Sequence, residues 1–411
     1  MKNIRILSII GFLKGLYFYI PIFTFFLLAE EVSLSAVVIS QVFYSLFVFL
    51  GEVPTGLFAD RFGQKTSIII GYVIEAIGIA IVVVFPTTVG LYIAYSLRGF
   101  GGAFLSGSEE ALLYESVKNA GTNNFQKLYG QFISNEQIGF ILSTALAGVA
   151  YQYYGSAAFV PLIVLTAICI LGAGVGSLFL TSYRAHIADP SLGAGMFSTL
   201  NESFALIRRN ETIFTLTVVG ALTLGGEYFI QAVYQPHFEL NGVTAFWIGA
   251  ALSLGTVLNI ILTRYAYLLE KYLTLEKILL VLNLLLGGVY ILMAFALHPI
   301  FLVGLYVLMN GLFNLQVPIV SDYINARTKS SIRSSVLSGV SFVRRFFQVF
   351  LTWALGVSVG VFGIQNSLIL QGVYLVIGIL IGYYLLVRCG CTYKVANAEG
   401  DEFEFHETVP K

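Results

Sequence analysis

Long apolar stretches alternate with short polar ones along the whole chain. A helix that crosses the ~30 Å hydrocarbon layer of a membrane needs about 20 mainly apolar residues. The stretches that meet this requirement lie at approximately 5–29, 35–58, 67–85, 88–114, 129–151, 157–181, 212–236, 244–268, 276–296, 299–324, 335–360 and 364–387. The pattern therefore predicts an all-α membrane protein with twelve transmembrane helices.

One polar gap, at about 182–211, is much longer than the others and divides the predicted helices six and six. Within it Met196, Leu200, Phe204 and Ile207 recur at helical spacing, which is typical of an amphipathic helix on a membrane surface. The predicted organisation is an N-terminal six-helix bundle at 1–182, a cytoplasmic linker containing this helix at 183–211, a C-terminal six-helix bundle at 212–388 and a cytoplasmic tail at 389–411.

Short matches between the halves suggest an internal repeat. Residues 59–63 (Ala-Asp-Arg-Phe-Gly) follow predicted helix 2, and residues 269–273 (Leu-Glu-Lys-Tyr-Leu) follow predicted helix 8, so both give apolar, acid, base, aromatic. Ser108-Glu109 in helix 4 likewise corresponds to Ser321-Asp322 in helix 10. Repeated halves are a feature of secondary transporters.

Lysine and arginine concentrate on one side of the predicted helices. If the N-terminus is cytoplasmic, the predicted outer loops contain no Lys or Arg, and the inner loops and tails hold most of the 22 basic residues. Cytoplasmic loops of membrane proteins carry this excess. We therefore predict a multi-pass protein of the inner, or plasma, membrane with both termini cytoplasmic.

Composition narrows the class of protein. The chain is 57% hydrophobic and only 11% charged, whereas a soluble domain is roughly 25% charged. Its three cysteines and four histidines form no metal-ligand pattern, and no phosphate-binding loop is present. We expect no enzymatic activity, no cofactor, no metal and no nucleic-acid partner. The expected partners are membrane lipid, a small-molecule substrate and protons, with the chain acting as a monomer.

The segment from Gly51 to Lys65 crosses the end of helix 2 and the loop to helix 3. It resembles the signature loop of the major facilitator superfamily, with matches at Gly56, Asp60, Arg61, Gly63 and Lys65. Gln64 stands where a second basic residue is usual. The resemblance implies a fold of two pseudo-symmetric six-helix bundles that carries a solute by alternating access.

A second motif, Arg98-Gly99-Phe100-Gly101-Gly102, is similar to the arginine-glycine motif of many proton-coupled members. Arg98 is predicted near the membrane midplane, where a charge is costly unless it faces a polar cavity. Residues 138–148 of predicted helix 5 contain no proline and so lack the Gly-Pro-rich stretch usual in the drug–proton antiporters of the superfamily. This leaves the antiporter subtype open.

Charges inside the predicted helices are the candidate gating residues. The superfamily fold implies that helices 2 and 11, and helices 5 and 8, face each other across the halves. We predict one cross-half ion pair between Glu52 and Arg344 or Arg345, and another between Glu136 and Arg264. The alternative is that each charge pairs within its own half. The latch residues predicted in the signature loop are Asp60, Arg61 and Lys65.

The same fold implies that helices 1, 4, 7 and 10 line a central cavity. In helix 7, Glu227 is followed at helical spacing by polar and aromatic residues, which indicates a wall that contacts substrate or takes a proton. The candidate binding residues are Arg98, Glu227, Tyr228, Gln231, Tyr234, Asn310, Asn314, Tyr17 and Asp322.

These residues favour proton-coupled export of small lipophilic or cationic compounds. One alternative is a symporter or uniporter that imports a nutrient or an organic anion, for which Arg98, Arg344 and Arg345 are suited. A further alternative is a membrane sensor or scaffold that does not transport.

Overall fold

The structure is a computed structural model, and it describes residues 2–121, 124–182, 208, 211–224, 226–295, 298–313, 315–326 and 333–389. Three predictions fall outside this description: the amphipathic helix of the linker, Asn314 and the tail beyond Cys389. The backbone of Asp322 is described as helical, but its side chain is not. The domain boundaries therefore stay predictions.

The described residues form helices, short 3₁₀ turns and connecting loops, with no strand. The first half contains α1 (Lys2–Lys14), α2 (Phe23–Ala29), α3 (Leu34–Phe62), α4 (Gln64–Val84), α5 (Thr88–Leu105), α6 (Ser108–Asn119), α7 (Phe125–Tyr154) and α8 (Phe159–Leu178). The second half contains α9 (Glu211–Leu222), α10 (Glu227–Leu240), α11 (Ala245–Arg264), α12 (Tyr267–Tyr272), α13 (Leu275–Phe295), α14 (Pro299–Leu312), α15 (Gln316–Ala326) and α16 (Arg333–Arg388).

Local sequence explains where several helices start and turn. α3 and α5 begin immediately after Ser33 and Thr87, whose hydroxyls accept hydrogen bonds from backbone N–H groups of the first turn. α16 is divided at Gly363, which has a φ of 78° and so makes a sharp turn that glycine favours. Residues 333–362 and 363–388 are thus two successive helices.

The number of membrane crossings is confirmed only in part. Among the described residues, 8 stretches are long and apolar enough to cross a membrane. Two of them, Phe125–Leu178 and Gly339–Arg388, have 54 and 50 residues, so each has the length of two crossings. Predicted helices 1 and 4 are not among these stretches, because each is divided into shorter helices and carries charged residues. A helical, multi-pass membrane fold is confirmed.

Predicted helices 1, 4, 7 and 10 are each a single apolar segment in the sequence, and in the structure each is divided into two helices. The described non-helical residues between the two helices of each pair are 15–19, 106–107, 223–224 with 226, and 313 with 315. Gly107 and Gly226 have φ values of 74° and 65°, conformations that side chains with a Cβ rarely adopt. The residues at the breaks are mostly apolar, so hydropathy alone gives no sign of them.

Backbone groups released by these breaks find side-chain partners, as they must where no water is available. Gln371 Nε2 donates to the carbonyl oxygen of Leu224 at 3.1 Å. Across the molecule, Gln235 Nε2 donates to the carbonyl oxygen of Ile20 at 2.7 Å. Amide side chains thus satisfy backbone carbonyl groups at or next to two of the interruptions.

The two halves pack closely at one end of the bundle. We call this end, near Asn241, the distal face, and the end near Gly63 the basic face. At the distal face Ser35 Oγ donates to the Gly356 carbonyl oxygen at 2.7 Å. Gly148 and Gly249 let α7 and α11 touch through their backbones, since a Cβ on Gly249 would lie 2.8 Å from the Gly148 Cα.

We predict that Gly249→Val separates the halves at the distal face, because the added methyl groups overpack this contact at a cost of about 1–3 kcal/mol. The measurement is the electron–electron distance between spin labels on Tyr153→Cys and Leu240→Cys, in a background that lacks the native cysteines.

The matched control is Gly304→Val, since nothing lies within 4 Å of the Cβ that it adds. A label distance that lengthens in Gly249→Val and not in the control is expected. Equal distances in both variants would contradict the close packing.

Candidate functional site

A cavity of about 450 Å³ lies between the two halves and is lined by residues from both. All four interrupted helices contribute to it or to groups directly behind it. Its aromatic lining residues are Tyr17, Tyr19, Tyr44, Tyr95, Tyr228, Phe23, Phe140 and Phe313. Its amide lining residues are Gln41, Gln137, Gln231, Gln235, Asn259 and Asn310. The cavity thus offers π faces and hydrogen-bonding groups together.

Arg98 lies in the cavity wall within a cage of tyrosines. Its guanidinium carbon is 5.1–6.0 Å from the ring centroids of Tyr17, Tyr19, Tyr44 and Tyr95. Its Nη2 is 3.9 Å from Glu75 Oε1, and the Tyr17 hydroxyl donates to the same oxygen at 2.6 Å. Cation–π contacts and a carboxylate together neutralise the arginine inside the membrane.

The arginine-glycine motif acquires a geometric explanation here. Gly78 on α4 leaves room for the arginine, since a Cβ there would lie 2.6 Å from the Arg98 Cγ. Gly99 lets α5 approach the backbone of Tyr44 on α3, where a Cβ would lie 3.1 Å from the carbonyl carbon. Small residues at helix contacts permit such approach in membranes.

Lys14, the last residue of α1, forms a second charged cluster next to the cavity. Its Nζ lies 2.9 Å from Glu109 Oε2 and 3.4 Å from Glu136 Oε2. The hydroxyl of Tyr72 donates a hydrogen bond to the other oxygen of Glu109. Three helices of the first half thus meet at one ammonium group.

One predicted cross-half ion pair is present and the other is not formed. Arg345 Nη2 lies 2.9 Å from Glu52 Oε1, which joins α16 to α3 near the basic face. Glu136 instead pairs with Lys14 inside its own half. The guanidinium of Arg264 lies 6.0 Å from the ring of its neighbour Tyr265. Glu136 therefore pairs with Lys14 of its own half, as the alternative in the sequence analysis proposed, and not with Arg264 across the halves.

Glu227 is the first residue of α10, directly after the break at Gly226. It borders both the central cavity and a second cavity of about 30 Å³. Arg344 lines the second cavity together with Gln316, Gln348 and Thr352. Within 4.0 Å, Glu227 forms no ion pair with any residue that the structure describes. This carboxyl therefore faces both cavities, and Arg344 is the cation that shares the second cavity with it.

Most of the other predicted binding residues lie where expected. Tyr17, Tyr228, Gln231 and Asn310 all line the central cavity. Tyr234 does not, because its ring is fully buried and stacks on Tyr306 at 4.6 Å between centroids. Neighbouring residues on a helix point about 100° apart, so Gln235 faces the cavity while Tyr234 faces the interior of its own half.

The signature loop with the predicted latch residues makes one hydrogen bond to a neighbouring helix. Lys65 Nζ donates to the carbonyl oxygen of Leu178, the last residue of α8, at 2.8 Å. Arg61 lies over the ring of Phe62 at 5.4 Å. Asp60 is exposed and has no ion pair within 4.0 Å in the described part of the chain. The gating role of these three residues stays a prediction.

Sequence reasoning missed three contributors to the site. Tyr95 precedes Arg98 by one helical turn, so its place in the cage could have been inferred from spacing. Glu75 was visible as an acid within an apolar helix, but its partner was not. Tyr44 comes from α3, and no local pattern indicates it. The described residues contain no group of three or more His, Cys, Asp or Glu side chains arranged for a metal ion.

We predict that Glu75→Gln destabilises the folded protein far more than Tyr17→Phe. The first change leaves Arg98 without its carboxylate, which for a buried pair costs about 3–5 kcal/mol, and the second removes one hydrogen bond, worth about 1 kcal/mol. Unfolding in lipid bicelles measures both. The double variant Glu75→Gln/Arg98→Gln should recover most of the loss, and no recovery would contradict the pairing.

A second prediction concerns the Glu52–Arg345 pair, which is 36% and 40% exposed and so adds less than about 1 kcal/mol to stability. Glu52→Arg should separate the halves at the basic face, seen as a longer distance between spin labels on Phe62→Cys and Tyr272→Cys. Adding Arg345→Glu should restore the distance, whereas adding Arg344→Glu should not. Equal rescue by both would show that the pair is not specific.

Comparison with known proteins agrees with this geometry. A family model described as Major Facilitator Superfamily matches residues 7–275. The uncharacterized MFS-type transporter YxaM of Bacillus subtilis (strain 168) is 21% identical over 369 residues, which cover 88% of this chain and 90% of YxaM. The multidrug resistance protein MdtH of Yersinia pestis (strain Pestoides F) is 26% identical over 211 residues, 48% of each protein.

A solved structure supports the same fold. The peptide transporter POT in complex with sulfate matches with a TM-score of 0.73 over 96% of this chain and 96% of that chain, at 15% identity. An identity this low shows the fold alone. The family model, in contrast, matches well over half of the sequence. The protein is therefore a non-enzymatic membrane transporter that belongs to the major facilitator superfamily.

Proposed function

We propose that the protein is a proton-coupled exporter of small lipophilic or cationic compounds, which enter the central cavity and leave in exchange for protons. The observation that carries this proposal is the excess of acids around the cavity. The ion-paired groups beside it are Lys14, Arg98, Glu75, Glu109 and Glu136, which amount to two bases and three acids.

Glu227 adds a further acid on the other side of the cavity, and Arg344, which lines the second cavity with it, adds a base, so one acid remains in excess. Inside a membrane an uncompensated charge is expensive. When all of these groups are ionised, the cavity attracts whatever cation can reach it, a proton or a positively charged solute. Competition between the two for the same negative charge gives antiport, because the binding of one displaces the other.

The arginines argue against an anionic solute. Arg98 is enclosed by its tyrosine cage and Glu75, and Arg345 is paired with Glu52. Both of these guanidiniums thus already have a carboxylate, and the third, that of Arg344, shares the second cavity with Glu227. Tyr228 and Tyr44, whose rings meet edge to face at 6.4 Å across the halves, leave aromatic surface near Glu227 for a cationic or apolar group. Aromatic faces favour such groups.

Similarity to the multidrug resistance protein MdtH supports the export direction. The amide side chains of the cavity support a second candidate, the import of a hydrogen-bonding nutrient by symport. The two differ in the sign of the gradient that drives accumulation, so one transport assay separates them.

The experiment uses proteoliposomes with an acidic interior and a panel of tetraphenylphosphonium, ethidium and the organic anion benzoate. We expect the two cations to accumulate inside as protons leave, and an uncoupler to abolish this. Accumulation of benzoate, or flux that is indifferent to the gradient, would overturn the proposal.

We further predict that Glu227→Gln lowers gradient-driven accumulation of the transported cation by about tenfold per pH unit of gradient, since each coupled proton supplies that factor. Exchange of labelled for unlabelled solute at equal pH should persist, because exchange needs no net proton movement. The matched control is Glu239→Gln at the exposed distal end of the same helix, which should behave as the unmodified protein. Unchanged pH dependence in Glu227→Gln would exclude this carboxyl as the proton carrier.

A further inference from the structure

The cluster around Lys14 treats its two carboxylates unequally. Glu109 accepts from both Lys14 and the Tyr72 hydroxyl, and its side chain is only 7% exposed. Glu136 lies farther from Lys14, at 3.4 Å, and its side chain is 27% exposed. Glu136 also lines the central cavity, whereas Glu109 does not. The two acids thus share one ammonium, but only one of them meets the cavity.

Few other charges face Glu136 from the elements packed against α7. From α1 the only described charge within 4.0 Å is Lys14. α6 contributes Glu109, and α4 contributes Glu75 and Tyr72 behind it. Arg264, the last residue of α11, is exposed and makes no ion pair within 4.0 Å among the described residues.

The charges of this half do not balance. Lys14 and Arg98 are the bases, and Glu75, Glu109 and Glu136 are the acids, so the cluster carries one negative charge in excess when all are ionised. Glu75 pairs with Arg98 and accepts a hydrogen bond from the Tyr17 hydroxyl. Glu109 accepts hydrogen bonds from Lys14 and from the Tyr72 hydroxyl. The uncompensated charge therefore falls on Glu136.

We propose that Glu136 is a second proton-binding site, in the N-terminal half, and that its occupancy decides whether Lys14 is shared by two carboxylates or held by Glu109 alone. A proton passes from water in the cavity to the Glu136 carboxylate, and the charge of the cluster changes from minus one to zero. This site extends the proposed function, on which it rests, from one proton-exchanging carboxyl to two, one in each half.

The position of Lys14 connects this proton to the cavity wall. Lys14 ends α1, and the interruption that follows carries Tyr17 and Tyr19 into the cavity. Gly15 packs directly on the Glu136 backbone, since a Cβ there would lie 2.8 Å from the Glu136 carbonyl carbon. Release of Lys14 by a protonated Glu136 therefore acts at the hinge that places both tyrosines around Arg98.

The test is infrared difference spectroscopy of the purified full-length protein in lipid without any solute, between about pH 5 and about pH 9, a window that covers ordinary and strongly raised carboxyl pKa values. The carbonyl band of a protonated carboxylic acid should appear on acidification and lose one component in Glu136→Gln. Glu136→Asp should keep this component at a shifted frequency, which also decides the case if Glu136→Gln does not fold.

The control is Glu110→Gln, a neighbouring acid on α6 with an exposed side chain, which should leave the component unchanged. A component that persists unshifted in both Glu136 variants would overturn the proposal. Because no solute is present, this result is independent of whether the proposed export occurs. If export does occur, Glu136→Gln should lower accumulation from about 100-fold to about tenfold at a gradient of one pH unit, as expected when one of two protons is lost.

Discussion

The structure depends on the cost of placing charges inside the membrane, because each charge there must have a partner or face a polar cavity. Arg98 meets this requirement with four tyrosine rings and Glu75. Lys14 meets it with two carboxylates from different helices. The acids outnumber the bases around the cavity, and the proposed function follows from this imbalance, since a proton or a cationic solute would remove it.

The interrupted helices place these charges. Backbone groups released at a break must be satisfied, and amide side chains do this at or next to two of the breaks, Gln371 at Leu224 and Gln235 at Ile20. Glu227 follows one break, Lys14 precedes another, and Glu109 follows a third. The charged groups therefore sit at points where a helix can bend. In the proposed mechanism, protonation at such a point alters the cavity wall and leaves the glycine contact between Gly148 and Gly249 at the distal face in place.

The fold was largely predictable from the sequence, because helix length in a membrane follows from hydropathy and because the loop from Gly56 to Lys65 is specific. The breaks were not, since tyrosine, leucine and phenylalanine are as apolar there as in a continuous helix. Glu52 was correctly placed opposite the arginine pair, as both lie toward the same end of facing helices. The predicted ion pair of Glu136 with Arg264 was wrong. The sequence gives the helix and the depth of each charge, but it does not show that Lys14 lies within ion-pair distance of Glu136.

The most direct test of the central claim is proton release on solute binding. Purified protein in weakly buffered detergent solution is mixed with tetraphenylphosphonium, and a pH-sensitive dye follows the proton concentration. If protons and the cation compete for the same carboxylates in the cavity, binding of the cation should release protons in proportion to the amount bound. This release should be smaller in Glu227→Gln. Binding of the cation with no release of protons would contradict the account, since solute and proton would then occupy independent sites.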